Sequence, residues 1–123
     1  MFPSPNHGER KGGALPRLIV LHYTGLPDLA TARHWLCDPA REVSAHWLLA
    51  EDGTAEQLVD ESRRAWHAGA GAWGGVTDVN SASIGIEMKI PPADQGRLTK
   101  TAFLRTDDPA QPTLRFAIRC RIE

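Results

Sequence analysis

The sequence predicts one α/β domain, and three observations lead to that fold class. An apolar run at 18–24 (LIVLHYT) has the length and the β-branched content of a buried strand. A helical pattern covers 29–36 behind Asp28, a residue suited to cap a helix. The pair Asp52-Gly53 lies between two apolar runs, which is typical of a β-hairpin. A chain of 123 residues is long enough for one such domain with a modest core.

Composition and charge are those of an ordinary soluble protein. Hydrophobic residues make up 41%, charged residues 24%, and the net charge is -1, so nothing favours nucleic acid or an anionic membrane as a partner. The arginines at 115, 119 and 121 fit a solvated strand face. Cys37 and Cys120 are far apart and outside any CxxC pattern, as expected of free thiols. The first fifteen residues have no apolar stretch, so we expect a cytoplasmic protein. Its oligomeric state is unknown from the sequence.

His22, near the end of the first apolar run, is the first candidate site residue. Strand side chains alternate, so Leu18, Val20 and His22 share one face. A neutral imidazole there, followed by Thr24-Gly25 where the backbone can turn, suits a metal ligand or a general base. A histidine that is merely hydrogen-bonded is the alternative, and for this stretch alone it is the commoner case.

Two further histidines are candidates in the middle of the chain. If the first run of the hairpin, 43–50, is a regular strand, His46 projects beside the sheet surface that receives His22. The loop segment 66–69 (WHAG) combines small residues with Trp and His, which suits a loop that lies close to a ligand. An equally good interpretation is a Trp-anchored loop packed over the sheet, with His67 only hydrogen-bonded.

Glu87 is the candidate acid or base. Residues 83–90 alternate strictly, which predicts a strand with Ser83, Gly85 and Glu87 on one face. A carboxylate on a rigid strand, with space beside it at a glycine, is well placed to act on a reacting water. The alternative is a solvated carboxylate on an exposed sheet face, paired with Lys89.

Four motifs together resemble the type 2 N-acetylmuramoyl-L-alanine amidases, the zinc-dependent family of the AmpD-like enzymes and peptidoglycan recognition proteins. They are HYT at 22–24, VSAH at 43–46, RAWHAG at 64–69 and NSASIGIE at 80–87. Each motif alone is weak, but their order, with the hairpin between the second and the third, is specific. The resemblance covers 4–87, about two thirds of the chain.

This resemblance implies a mixed central β-sheet with flanking helices and one zinc ion in a groove at the sheet. The implied reaction is hydrolysis of the amide between N-acetylmuramic acid and L-alanine in peptidoglycan or muropeptides. A zinc with three protein ligands lowers the pKa of its bound water to about 7. His22 matches the first zinc ligand, and Glu87 matches the acidic residue that takes the proton of the water. The positions expected to bind substrate or support the groove are His46, Trp66, His67 and Asn80.

After Lys89 the sequence departs from the family pattern. The family has a late histidine followed some ten residues on by an Asp or Cys ligand, whereas this chain has no histidine after His67. Alternation at 113–122 predicts a strand where the family has a helix and a ligand loop. We therefore expect an extended arm at 1–14, an amidase core at 15–90, and a divergent tail at 91–123 that leaves the fold incomplete at its C-terminus.

Three explanations of the tail remain open. A reading-frame change or truncation after about Lys89 is favoured, because the break is sudden and removes two ligands at once. The second explanation is a catalytically inactive protein that still binds muropeptides. The third is a zinc site in which His46 or His67 joins His22. It is the least favoured, because zinc needs three ligands within about 2.0 to 2.3 Å and no local spacing assures that.

Overall fold

The computed structural model describes residues 2–89, 97–105, 109–110 and 113–121. The chain divides into two compact units, Met1–Ile90 and Pro91–Glu123. The elements of the first unit are β1 (His7–Gly8), β2 (Leu18–Thr24), α1 (Leu29–Cys37), β3 (Trp47–Leu49), β4 (Ala55–Gln57), β5 (Arg64–Ala65), α2 (Val79–Ala82) and β6 (Ser83–Lys89). Short 3-10 turns cover Lys11–Gly13 and Pro39–Arg41.

A four-stranded sheet forms the centre of the first unit, in the order β2-β6-β3-β4. Strands β2 and β3 both run parallel to β6, while β3 and β4 are antiparallel. The sheet is therefore mixed, which confirms the predicted fold class. Strand β6 lies inside the sheet because it pairs with β2 on one side and with β3 on the other, whereas β2 and β4 lie at the ends of this sheet.

Helix α1 begins and ends as the sequence predicts. The Asp28 side chain accepts a hydrogen bond from the backbone N–H of Thr31 at 2.7 Å, which satisfies one of the unpaired donors of the first turn. The helix ends at Cys37, and Pro39 starts the following 3-10 turn. A proline there cannot donate the backbone hydrogen bond that a continued helix would need.

The hairpin is present, but its first strand is shorter than predicted. Asp52 accepts from the backbone of Thr54 at 2.8 Å, and Gly53 takes a φ of +88°, so both turn residues play the expected parts. The predicted strand 43–50 is limited to β3, 47–49. Before β3, the backbone hydrogen bonds do not follow a regular strand-pairing pattern. The His46 N–H, for example, donates to the carbonyl of Gly85 at 2.9 Å.

The apolar core lies between α1 and the sheet. Leu36 of α1 joins Leu48 of β3 and Leu58, which follows β4, in one buried cluster. Ala32 leaves room for the helix to approach the sheet, because its side chain is small and buried. This packing holds the helix over the sheet, where Trp35 reaches the groove that contains Glu87.

The N-terminal segment, expected as an extended arm, is tied into the first unit. Ser4 and Asn6 are both buried. The Asn6 amide donates to the carbonyls of Asp38 (2.9 Å) and Val43 (2.8 Å), and β1 pairs antiparallel with β5. Sequence patterns did not predict β1, β5 or α2, because each spans only two to four residues.

The second unit contains two antiparallel strands, β7 (Arg97–Arg105) and β8 (Thr113–Arg121). Strand β8 agrees with the predicted strand 113–122, whose last residue lies outside the described residues. Its partner β7 was not predicted. Within the described ranges, no helix is both long enough and apolar enough to cross a membrane.

Truncation of Leu48 to Ala tests the core. Leu48 is 0% exposed, so we expect its loss to lower the free energy of unfolding by about 2–5 kcal/mol. The matched control is Leu15→Ala, because Leu15 is 81% exposed and its truncation should change the value by no more than about 0.5 kcal/mol. Urea denaturation of the full chain measures both. Equal losses would contradict this assignment of the core.

Candidate active site

The pairing of β2 with β6 places the two strongest sequence candidates side by side. In the parallel register, His22 lies opposite Glu87, and Val20 lies opposite Gly85. Residues opposite each other on neighbouring strands project from the same face of the sheet. The sheet thus brings together a histidine and a carboxylate that are 65 residues apart in the sequence.

His67 lies directly on the backbone of β6. A Cβ added to Gly85 would overlap three ring atoms of His67, so only glycine permits this approach. The space that Gly85 leaves on the sheet face is therefore filled by an imidazole. Asn80 supports the loop that carries this imidazole, because its side-chain oxygen accepts from the backbone N–H groups of His67 (3.1 Å) and Ala68 (2.9 Å).

His22 and His67 are in direct contact. The Nε2 of His22 lies 2.9 Å from the Nδ1 of His67, and the two rings meet edge to face. Burial, together with the charges of His22 and His46, lowers the pKa of His67 to about 3. Burial also lowers the pKa of His22. Both rings are therefore neutral at pH 7, and one of them donates to the other.

His46 lies in the interior of the first unit and contacts the backbone of β6, the strand that carries Glu87. It has no exposed surface. Its Nδ1 accepts from the backbone N–H of Gly85 at 2.9 Å, so its Nε2 carries the proton and donates to the carbonyl of Arg63 at 2.9 Å. Complete burial makes His46 a support of the groove, which is one of the two roles expected of it, and substrate binding by His46 stays a prediction. Its role is to hold the backbone of β6 beside His67.

Asn80 is also nearly buried, and its polar atoms serve the loop rather than a ligand. Asn80 therefore supports the groove, which is one of the two roles expected of it, and a direct contact with substrate stays a prediction. Trp66 and His67, by contrast, are partly exposed and line a groove of about 330 Å³ together with Glu87. Two of the four predicted positions, Trp66 and His67, can therefore contact a ligand. The other two, His46 and Asn80, support them.

Arg10 is a supporting residue that the sequence patterns missed. Its guanidinium donates to the carbonyls of Asn80 (3.2 Å), Ser81 (2.8 Å) and Ser83 (3.0 Å), where α2 passes into β6. It also donates to the carbonyl of Glu61 at 2.7 Å. The N-terminal segment has no hydrophobic period. Nothing in the sequence therefore indicated that an arginine there would bind the carbonyls between α2 and β6.

Glu87 faces the groove in a desolvated position. Burial raises the pKa of its carboxyl group, because a low-dielectric environment disfavours the charged form. The side chain is thus partly buried in the wall of the groove rather than fully solvated. The groove walls beside it include the following residues: Tyr23, Thr24, Leu26, Trp35, Val43, Trp66 and His67.

A second cavity of about 440 Å³ adjoins His22. Apolar residues dominate its walls, among them Leu21, Trp73 and Val79. Trp73 is largely exposed. His22 and Glu87 therefore open to different cavities, although they are register neighbours.

The described residues do not form the zinc site that the resemblance implies. Among them, no three His, Cys, Asp or Glu side chains group as a metal site. His22 and His67 offer two imidazoles, but a catalytic zinc takes three protein ligands. Their 2.9 Å separation is that of a hydrogen bond. We therefore assign no catalytic step to zinc in this chain.

Replacing Gly85 by Ala should displace His67. The added methyl group overlaps the ring, so we expect a loss of about 1–3 kcal/mol in the free energy of unfolding. We also expect the chemical shifts of the His22 and His67 rings to change. Gly8→Ala is the matched control, because Gly8 is also a strand residue and nothing lies within 4 Å of its added Cβ. If both variants are equally stable, His67 does not lie on β6.

Glu87→Gln should raise the melting temperature at pH 7. The pKa of Glu87 is raised above its usual 4.5, so the folded state binds this proton more tightly than the unfolded state. The stability that the protonated Glu87 carboxyl group contributes is therefore lost as the pH rises from 4.5 through the raised pKa. A neutral amide avoids that loss, and the difference should vanish below pH 4. Thermal melts at pH 4 and pH 7, with Glu51→Gln in the exposed turn as control, check this.

Known proteins resemble this chain in both sequence and structure. The family model described as N-acetylmuramoyl-L-alanine amidase matches residues 12–114, a range that includes part of the segment set apart as a tail. The 1,6-anhydro-N-acetylmuramyl-L-alanine amidase AmpD of Escherichia coli K12 is 34% identical over 104 residues, which cover 71% of this chain and 57% of AmpD. N-acetylmuramoyl-L-alanine amidase AmiD of the same organism is 40% identical over 85 residues, covering 62% of this chain and 30% of AmiD.

The crystal structure of a selenomethionine derivative of AmpD superposes with a TM-score of 0.64 at 33% identity. The match covers 71% of this chain and 58% of that one. The chain thus spans little more than half the length of the AmpD proteins that it matches. The family match extends over most of the chain and the fold agrees with that of AmpD, so the chain belongs to the type 2 N-acetylmuramoyl-L-alanine amidase family.

Proposed function

We propose that this chain acts on the amide bond between N-acetylmuramic acid and L-alanine in peptidoglycan or muropeptides. The observation that carries the proposal is the position of Glu87 in a groove lined by Trp66 and His67, with His22 opposite Glu87 on the neighbouring strand. A rigid sheet holds both residues, as a site for a reacting bond requires. Trp66 and His67 are the proposed substrate contacts.

The names of two relatives support this bond as the target. AmpD is named for the 1,6-anhydro-N-acetylmuramyl-L-alanine unit and AmiD for the N-acetylmuramoyl-L-alanine unit. Both names contain the muramyl–L-alanine linkage, which is therefore the part of the substrate that we propose here. The anhydro-muropeptide is the form to test first, with the cytoplasm as the proposed compartment.

Glu87 is the proposed proton carrier. Hydrolysis joins the oxygen of a water molecule to the carbonyl carbon and breaks the bond to the alanine nitrogen. A carboxylate at Glu87 takes a proton from the water and then returns one to the leaving amine. Burial favours the protonated form of this group, which suits the second half of the transfer.

Glu87→Gln tests this role. Because Gln cannot accept the proton, we expect hydrolysis to fall by about 10²- to 10⁴-fold while muropeptide binding is retained. Release of the free alanine amino group from a 1,6-anhydro-N-acetylmuramyl peptide measures the rate, and calorimetry measures binding. Glu51→Gln, in the exposed turn after β3, is the matched control and should keep the wild-type rate. A Gln variant at 87 with full rate would exclude the proposed role.

Muropeptide binding without hydrolysis is a second candidate function. The observation that favours it is that the described residues contribute two imidazoles and no third metal ligand. Zinc is the implied cofactor, with His22 as its proposed first ligand, so the zinc content of the purified chain after dialysis against a weak chelator separates the two candidates. About one zinc per chain, with hydrolysis, supports the amidase. A value near zero, with retained binding and no hydrolysis, supports the binding protein. Loss of both activities contradicts both candidates.

A further inference from the structure

We propose that Ser83 is a positioning residue that acts through His67 on His22. Three hydrogen bonds in sequence, which we call the Ser83 relay, join the carbonyl of Val79 to Ser83, then to His67, and then to His22. The relay holds the proton of His22 on Nε2 and leaves its Nδ1 as the only ring nitrogen able to accept a proton or bind a ligand. This inference rests on the proposed function, because it concerns the orientation of a residue of that site.

The relay begins with a hydroxyl proton whose direction is determined. The Oγ of Ser83 lies 2.6 Å from the carbonyl oxygen of Val79, which can only accept. The single hydroxyl proton is therefore donated to that carbonyl. Ser83 is fully buried, so water does not compete for it. The remaining lone pairs of the Oγ are left to accept.

The second bond determines the tautomer of His67. The Nε2 of His67 lies 3.0 Å from the Ser83 Oγ, which has already used its proton. His67 must therefore donate from Nε2, and a neutral imidazole carries only one N–H. The Nδ1 of His67 is consequently an acceptor.

The third bond transfers this constraint to His22. The Nε2 of His22 lies 2.9 Å from the Nδ1 of His67, which is an acceptor. His22 must therefore donate from Nε2. In a neutral histidine, the hydrogen bond made by one ring nitrogen determines which of the two nitrogens carries the proton. The free lone pair of His22 is thus assigned to Nδ1 by a serine that does not touch it.

The surroundings of His67 keep the relay from rearranging. The ring lies on the backbone of Gly85, and the Asn80 side chain holds the backbone N–H of His67. The carbonyl of Ser83 itself accepts from Arg10, which fixes the first residue of β6. Rotation of the His67 ring would break both of its ring hydrogen bonds, one of them to the fully buried Ser83, which is costly.

Nitrogen NMR of the imidazole rings tests the relay in the full chain. Long-range proton–nitrogen correlation distinguishes the two neutral tautomers of each histidine, and His→Gln variants at 22 and 67 assign the signals. In the wild type we expect a single tautomer for each of the two residues, with the proton on Nε2. An Nδ1–H pattern at His22 in the wild type would overturn the proposal without any variant.

Ser83→Ala removes the acceptor of His67. We expect the single-tautomer pattern to be lost at both His67 and His22, since His67 can then carry its proton on Nδ1 and donate to His22. Ser83→Thr keeps a hydroxyl and should restore the wild-type pattern. Ser81→Ala is the matched control, because Ser81 is also buried and its hydroxyl bonds to Asp78 rather than to a histidine.

If the histidine tautomers of Ser83→Ala are identical to those of the wild type, the proposal is also overturned. The same holds if Ser81→Ala changes the tautomers as much as Ser83→Ala does. If Ser83→Ala does not fold, the wild-type tautomers and the Thr variant still decide. The measurement needs no substrate. Failure of the relay is therefore distinguishable from failure of the proposed function, which would appear as absent binding and hydrolysis with the tautomers intact.

Discussion

The close approach of the His67 ring to the backbone of β6 is the contact on which the rest of the site depends. It requires a glycine at 85, because any side chain there would overlap the ring. It places the ring within hydrogen-bond distance of His22 on the neighbouring strand and of Ser83 at the start of the same strand. The groove beside Glu87 has its shape because this imidazole forms one wall.

Burial then determines the electrostatics of the site. Three imidazoles lie close together, with ring centroids 5.1 Å apart for His22 and His67 and 5.9 Å apart for His46 and His67. Such a cluster is stable only if the rings are neutral, and desolvation lowers the pKa of all three. The same desolvation raises the pKa of Glu87. The site therefore combines neutral donors and acceptors with one carboxyl group that can hold a proton.

Local patterns correctly predicted β2, α1 with its cap, β6 and β8, although they missed the nine-residue strand β7. The apolar run of β2, the alternation of β6, the Asp28 cap and the Asp-Gly turn are all local, so their physical causes can be read from a few neighbouring residues. The short pieces β1, β5 and α2 could not be predicted in this way. They exist because distant segments satisfy their backbone groups, as Arg10 does for the carbonyls at the end of α2.

Local sequence patterns are sufficient to place His22 and Glu87 on strands, and Glu87 on the same face as Gly85. Side-chain alternation is a property of any extended chain, so no tertiary contact was needed. Tertiary structure alone decided that β2 and β6 are neighbours in a register that aligns these two residues. It also decided that His46 is buried and that His67 fills the space over Gly85. Those outcomes depend on contacts between residues far apart in the chain, and local patterns carry no information about such contacts.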